Sequence, residues 1–162
     1  AWARGDLEAA LRLNDLAREH MQGEETLHPE VVECQRAHIL ATLGRDREAA
    51  ALWDRAARGF ERHGDPVGAA DCRSLLAFEI ANQGHPELAE SILRGAVRTY
   101  ERLGKTPSVA VTLGRIADLI APQGRLDEAR DFARRCLDIC RGEENADRTS
   151  RAAERLERLG GG

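Results

Sequence analysis

Aromatic side chains make up only 4% of this 162-residue chain, against 42% hydrophobic residues overall. A core built on large rings is excluded, so alanine and leucine must supply it through close helix–helix packing. Long apolar runs are also missing. The best, Ala37 to Leu43, is broken by His38 and Thr42 and falls far short of the roughly 18 residues a membrane-spanning helix needs. No basic block stands out: 24 Lys and Arg residues are interspersed among 28 Asp and Glu residues, for a net charge of −4. A surface that tracks nucleic-acid phosphates is excluded on that ground.

The cysteines (Cys34, Cys72, Cys136, Cys140) lack Cys-x-x-Cys spacing. Cys136 and Cys140 share a helix face one turn apart, but no histidine pair accompanies them, and zinc takes about four clustered ligands. No metal site is expected. Reduced, buried thiols acting as small hydrophobes are the reading that remains, and a cytoplasmic location follows from it. Catalytic signatures are missing as well: no nucleophile elbow, phosphate loop or zinc-protease helix motif occurs. The histidines (His20, His28, His38, His63, His85) lie apart; His28, His63 and His85 fall at helix junctions, where solvated capping is the default. Catalysis needs convergent groups, so no enzyme and no cofactor are predicted. The opening Ala1-Trp2-Ala3-Arg4 has neither initiator methionine nor signal-peptide layout. It reads as the last turn of a helix cut open, and a fragment of a larger protein is expected.

What the chain does have is a repeat. Leu43-Gly44-Arg45-Asp46-Arg47-Glu48-Ala49 recurs as Arg4-Gly5-Asp6-Leu7-Glu8-Ala9-Ala10, as Gln83-Gly84-His85-Pro86-Glu87-Leu88-Ala89 and as Gln123-Gly124-Arg125-Leu126-Asp127-Glu128-Ala129. The glycines stand at 5, 44, 84 and 124, in steps of 39, 40 and 40 residues, and an alanine follows each by five. A fixed period of this length marks a repeat array, in which each unit buries its apolar face against its neighbours.

Helix signals punctuate the whole chain. Residues 7–22 have helical apolar spacing with Asp6 as N-cap, and Gly23 stops them. Pro29 opens a helix that runs to Leu43, where Gly44 supplies a left-handed C-cap; residues 47–62 form its partner. Gly64-Asp65-Pro66 spells stop, N-cap and first helical residue. Helices at 66–82 and 86–103 follow. Gly104-Lys105-Thr106-Pro107 restates the grammar for a helix that ends near Ile120, because Pro122 withdraws a donor and restrains Ala121. Residues 126–141 and 146–159 complete the set, with Gly142 as a stop and Asn145 as a cap. Seven long helices with a truncated N-terminal turn, and no strand, are the overall expectation, one fewer than the spans just named. Ala49, Ala77, Ala89, Ala117 and Ala129 should be fully buried at helix crossings.

Aligned on the glycine, the pairs resemble tetratricopeptide repeats over essentially the whole chain. Ala37, Ala77 and Ala117 match the family's small residue in the first helix. Leu40, Ile80 and Ile120 match its large apolar one, and Ala17, Ala56, Ala96 and Cys136 match the small residue late in the second helix. Two departures stand out: the period exceeds the usual 34 or so residues, and the proline closing the second helix is missing. The 40-residue step looks like the longer variety found in bacterial signal-transducing ATPase regulators and mammalian polarity adaptors. HEAT and armadillo solenoids share the period alone; the glycine-to-alanine register favours tetratricopeptide.

The resemblance implies an all-α, right-handed superhelical solenoid of antiparallel helix pairs, one array over 1–162, with a concave groove lined by the first helices. That face reads Val31, Cys34, His38, Ala41, then Asp71, Ser74, Phe78, Ala81, then Val111, Gly114, Asp118, Ala121. Two rows are small, and between them runs a ridge of His38, Phe78 and Asp118. The small rows either admit a partner's backbone or merely let neighbouring first helices pack tightly. The ridge, with Asn82 and Arg115 beside it, is the candidate site for a peptide or helix of a protein partner, or for another domain of the same chain. The positions of a carboxylate-clamp groove read Cys34, His38, Leu75, Val111 and Arg115; only Arg115 fits, which argues against that function. The second reading is a structural spacer or self-assembly element with no groove ligand. End-to-end self-association is expected, since Trp2, Leu7 and Leu11 lack a covering helix and arrays need polar caps.

Overall fold

The computed structural model describes residues 4–20, 29–143 and 145–160. Among them are eight α-helices and no strand: α1 (Arg4–His20), α2 (Pro29–Thr42), α3 (Asp46–Arg62), α4 (Pro66–Asn82), α5 (Pro86–Arg102), α6 (Thr106–Ile120), α7 (Leu126–Gly142) and α8 (Ala146–Arg158). The helix expected over residues 7–22 is α1, but it starts at Arg4, so Asp6 lies in its first turn and not at its N-cap; the truncated turn expected at residues 1–4 falls almost wholly outside the described residues. Gly5 accordingly sits inside α1, unlike its repeat counterparts. Trp2, Gly23 and His28 lie outside the described residues.

Glycine ends the other helices as the pattern requires. Gly44, Gly64, Gly84, Gly104 and Gly124 all have φ between 64° and 90°, a left-handed conformation that only glycine adopts without steric cost. The departure is Gly142, the last residue of α7, which shows no positive φ. Starts are more varied. Asp65 Oδ1 accepts from the amides of Val67 and Gly68, each at 3.0 Å, and Asn145 Oδ1 accepts from Arg148 N at 3.0 Å. His85 precedes α5 but makes no side-chain cap bond; Pro86 has already removed one donor. At the end of α3, the exposed C-cap residue His63 places Nδ1 2.8 Å from Oε1 of the buried Glu30. α6 stops at Ile120, and Pro122 turns the chain through a 3₁₀ segment, Ala121–Gln123, into Gly124.

The chain divides into two compact units, Ala1–Glu79 and Ile80–Gly162. In the first, α1 packs on α2 and α2 on α3. Leu11, Ala37, Leu40, Ala49, Trp53, Ala56, Ala57 and Cys72 form its core. Leu11 is therefore covered, contrary to expectation; the exposed apolar residues of α1 are Leu13 and Leu16. In the second unit, α5 packs on α6, α6 on α7 and α7 on α8, burying Leu93, Tyr100, Leu113, Ile116 and Ile120. Each buried leucine or isoleucine contributes on the order of 2 kcal/mol. Ala49, Ala77, Ala89, Ala117 and Ala129 are all at 0% exposure. A larger side chain at these points would hold the helix axes apart.

Candidate functional site

In the first unit, α2 and α4 each expose one ridge residue beside buried small ones. His38 is exposed on α2 and meets the Trp53 ring of α3 edge-on, with centroids 5.7 Å apart and planes at 75°. Phe78 is 38% exposed on α4, whereas its neighbour Ala77 and Ser74, one turn before it, are at 0%. Val31 and Asp71 are exposed on the same helices. One turn before His38, the half-buried Cys34 receives a hydrogen bond from the Cys72 thiol, Sγ to Sγ 3.6 Å.

In the second unit, Asn82 is exposed at the end of α4 and Arg115 is half-buried on α6. Asp118 is exposed but engaged. Arg155 of α8 donates from Nε to both carboxylate oxygens at 2.9 and 3.1 Å and from Nη2 to Oδ2 at 2.9 Å. The planar guanidinium fork suits this bidentate grip. Its path crosses Gly114: a Cβ there would lie 2.7 Å from Arg155 Nη1. The small residue in that row thus makes room for a side chain of this chain.

The row Cys34, Ser74, Gly114 is filled from within at each position: Cys34 by Cys72, Ser74 by complete burial, Gly114 by Arg155. The ridge behaves differently, with His38, Phe78 and Asp118 each exposed on its own unit. Arg155 is the residue that sequence reasoning missed, although it stands one 40-residue step beyond Arg115. The Cys34–Cys72 pair was hidden for a different reason: its 38-residue separation does not match the repeat, so the two cysteines occupy different register positions.

The second unit also carries an ion-pair cluster where α5 meets α7. Arg125 donates to Glu90 at 2.5 Å and to Glu128, and Arg94 bridges Glu90 and Glu128 while stacking 4.9 Å above the Phe132 ring. These hydrogen bonds, that from Arg125 first, hold the Glu90 carboxyl below its ordinary value. Every charge in the cluster is matched by a neighbour, which suits a structural clamp. Among the described residues, no group of three or more His, Cys, Asp and Glu side chains is placed to hold a metal ion, and no helix is long and apolar enough to cross a membrane.

Neither a protein-family model nor a curated protein matches the sequence. Solved structures do match. BtubC from P. vanneervenii superposes with a TM-score of 0.83 at 21% identity, over 96% of this chain and 65% of that one. The apo form of RapI gives 0.83 at 11% identity, over 96% and 57%. A protein from Podosopora anserina described as a kinesin light chain with nearly identical TPR-like repeats gives 0.71 at 16%, over 96% and 78%. The fold is thus an all-α, TPR-like helical repeat, and the chain spans less than two thirds of the first two of these proteins.

Proposed function

We propose that this chain is a non-catalytic protein-recognition module that receives a peptide or helix on the exposed side of its first helices. The ligand belongs to a partner protein or to another domain of the same chain. The observation that carries this reading is Phe78. An aromatic ring left 38% exposed, next to side chains at 0% exposure, is costly to leave in water and suits an anchor position. His38 supports it from the same unit; within the second unit, Asn82, Arg115 and Asp118 are the candidate polar contacts, taken by themselves. Asp118 would meet a partner as the Asp118–Arg155 pair, with its charge already compensated. The TPR-like fold supports a protein ligand over a small-molecule one, because repeat arrays present extended surfaces.

The 40-residue step favours the long-repeat variety used by bacterial signal-transducing regulators, and with it a cytoplasmic location. Self-association through α1 belongs to the same proposal, since Leu13 and Leu16 are 67% and 50% exposed there. The spacer reading draws on one specific observation, the internal filling of the small row by Cys72 and Arg155. It leaves the exposed ridge unexplained.

The test is a pull-down from a lysate of the source organism, followed by calorimetry of the captured partner against Phe78→Ala and Arg115→Glu. Truncating the aromatic should cost about 2–4 kcal/mol of binding, with circular dichroism unchanged. If both variants stay helical and bind like the parent, the first-helix face is not the site.

A further inference from the structure

Two cysteines meet in the first unit under conditions that differ from those of the other two. The Cys34 and Cys72 sulfurs, on α2 and α4, are 3.6 Å apart, whereas a disulfide needs about 2.05 Å. The sulfurs must close by about 1.5 Å to bond. Cys34 is half-buried and so reachable from solvent, while Cys72 is at 0% exposure. His38 stands one turn from Cys34 on the exposed face of α2, and Asp71 adjoins Cys72 on α4.

We propose that Cys34 and Cys72 are an oxidation site, a dithiol that hydroperoxides convert to an intramolecular disulfide joining α2 to α4. The Cys34 thiolate attacks one oxygen of the peroxide. An S–O bond forms, the O–O bond breaks, and the departing oxygen takes a proton to leave as water or alcohol. Sulfur gives up two electrons, which the peroxide gains. Cys72, already in contact, then attacks the Cys34 sulfur; the S–S bond forms, the S–O bond breaks, and the Cys72 proton leaves with the hydroxyl as water. Two thiols and one hydrogen peroxide become one disulfide and two waters.

The division of labour follows from the local charges. The hydrogen bond from Cys72 lowers the Cys34 thiol below its ordinary value against the opposing effect of burial, and His38 lowers it further. The thiolate is the nucleophile, so this is the attacking sulfur. Cys72 is shifted the other way by the same hydrogen bond and by burial, which keeps it protonated as donor until Cys34 is oxidised. Cys136 and Cys140 also share a side-chain hydrogen bond, but neither is open to solvent. Both are buried on one helix, and burial raises the Cys136 thiol. Oxidation should therefore be selective.

The site goes beyond protein recognition and does not depend on it. His38 follows Cys34 by one turn and Phe78 follows Cys72 by less than two, so closing the bond would draw together the helices that carry both ridge residues.

The experiment treats the reduced, folded protein with an equimolar amount of hydrogen peroxide, blocks remaining thiols with iodoacetamide, and maps the peptides by mass spectrometry. The expected product links Cys34 to Cys72 within one chain, is lighter by two hydrogens, leaves Cys136 and Cys140 reduced, and is reversed by dithiothreitol. In Cys72→Ser, Cys34 should instead stop at sulfenic acid and take up dimedone. The proposal is overturned if the linked peptide is missing and Cys34 remains alkylatable, or if the consumed thiols are Cys136 and Cys140. A bond between two chains overturns it as well. The parent protein alone decides these outcomes if the serine variant does not fold.

Discussion

The Arg155 guanidinium occupies the space that a Cβ on Gly114 would need, with Nη1 2.7 Å and Cζ 2.9 Å from that position. The same guanidinium grips Asp118 one turn further along α6. Glycine in mid-helix costs up to about 1 kcal/mol relative to alanine, and here the loss makes room for an ion pair between α6 and α8.

Gly114→Ala should therefore pit two small effects against each other. Helix propensity improves by up to about 1 kcal/mol, while the partly exposed Arg155–Asp118 pair, worth up to about 1 kcal/mol, is pushed aside. Net stability should change by less than about 1 kcal/mol. The coupling is the sharper test: Asp118→Asn should matter more in the parent than in the alanine background, where only Arg158, at 3.9 Å, still pairs with Asp118. Equal effects of Asp118→Asn in both backgrounds, measured by urea denaturation, would show that Arg155 keeps its grip.

Gly68 is a stricter case. A Cβ there would stand 2.6 Å from Phe60 Cδ1 and 2.8 Å from Asp65 Oδ2, so alanine meets a half-buried ring packed against the core and the carboxylate that caps α4. Gly68→Ala should cost about 1–3 kcal/mol by overpacking, against the propensity gain. Removing the cap alone, Asp65→Ala, should cost about 1 kcal/mol. A Gly68→Ala protein that melts at or above the parent temperature would refute the crowding.

Ala77 has 0% exposure on α4. Ala77→Leu should cost about 1–3 kcal/mol. Thermal melts that match the parent would mean that the helix crossing has room the packing denies.

Glu90 predicts an acid limb. Its folded pKa lies below the ordinary value of 4.5, chiefly through the hydrogen bond from Arg125. The folded state thus binds the proton less readily than the unfolded chain. The stabilisation is fully present above pH 4.5 or so and is lost as pH falls through the folded value. Glu90→Gln should lower stability at neutral pH and flatten the acid limb of a stability-versus-pH curve. An unchanged slope between pH 3 and 5 or so, in a variant that remains helical, would assign the acid sensitivity to other carboxylates.

Some of this protein was legible in its residues because the deciding physics is local. A left-handed turn selects glycine, so Gly44, Gly64, Gly84, Gly104 and Gly124 marked helix ends without reference to any fold. Close helix approach selects alanine, so Ala49, Ala77, Ala89, Ala117 and Ala129 announced the crossings. Pro122 ended α6 by withdrawing a donor. Where these rules weaken, the start of α1 moved by less than one turn and the end of α7 by a single residue, onto Gly142. Side-chain pairing was a different matter. The face periodicity identified Asp118 as ridge, but it carried no sign that Arg155 of α8 would reach across Gly114 to hold it. Nor could spacing bring Cys34 to Cys72, which sit at different positions of the repeat. The sequence by itself determined the helices, their stops and their buried small residues, since those depend on each residue's own backbone and volume. Only the tertiary structure decided which long or reactive side chains meet, because that depends on the rotation and depth at which one helix settles against another.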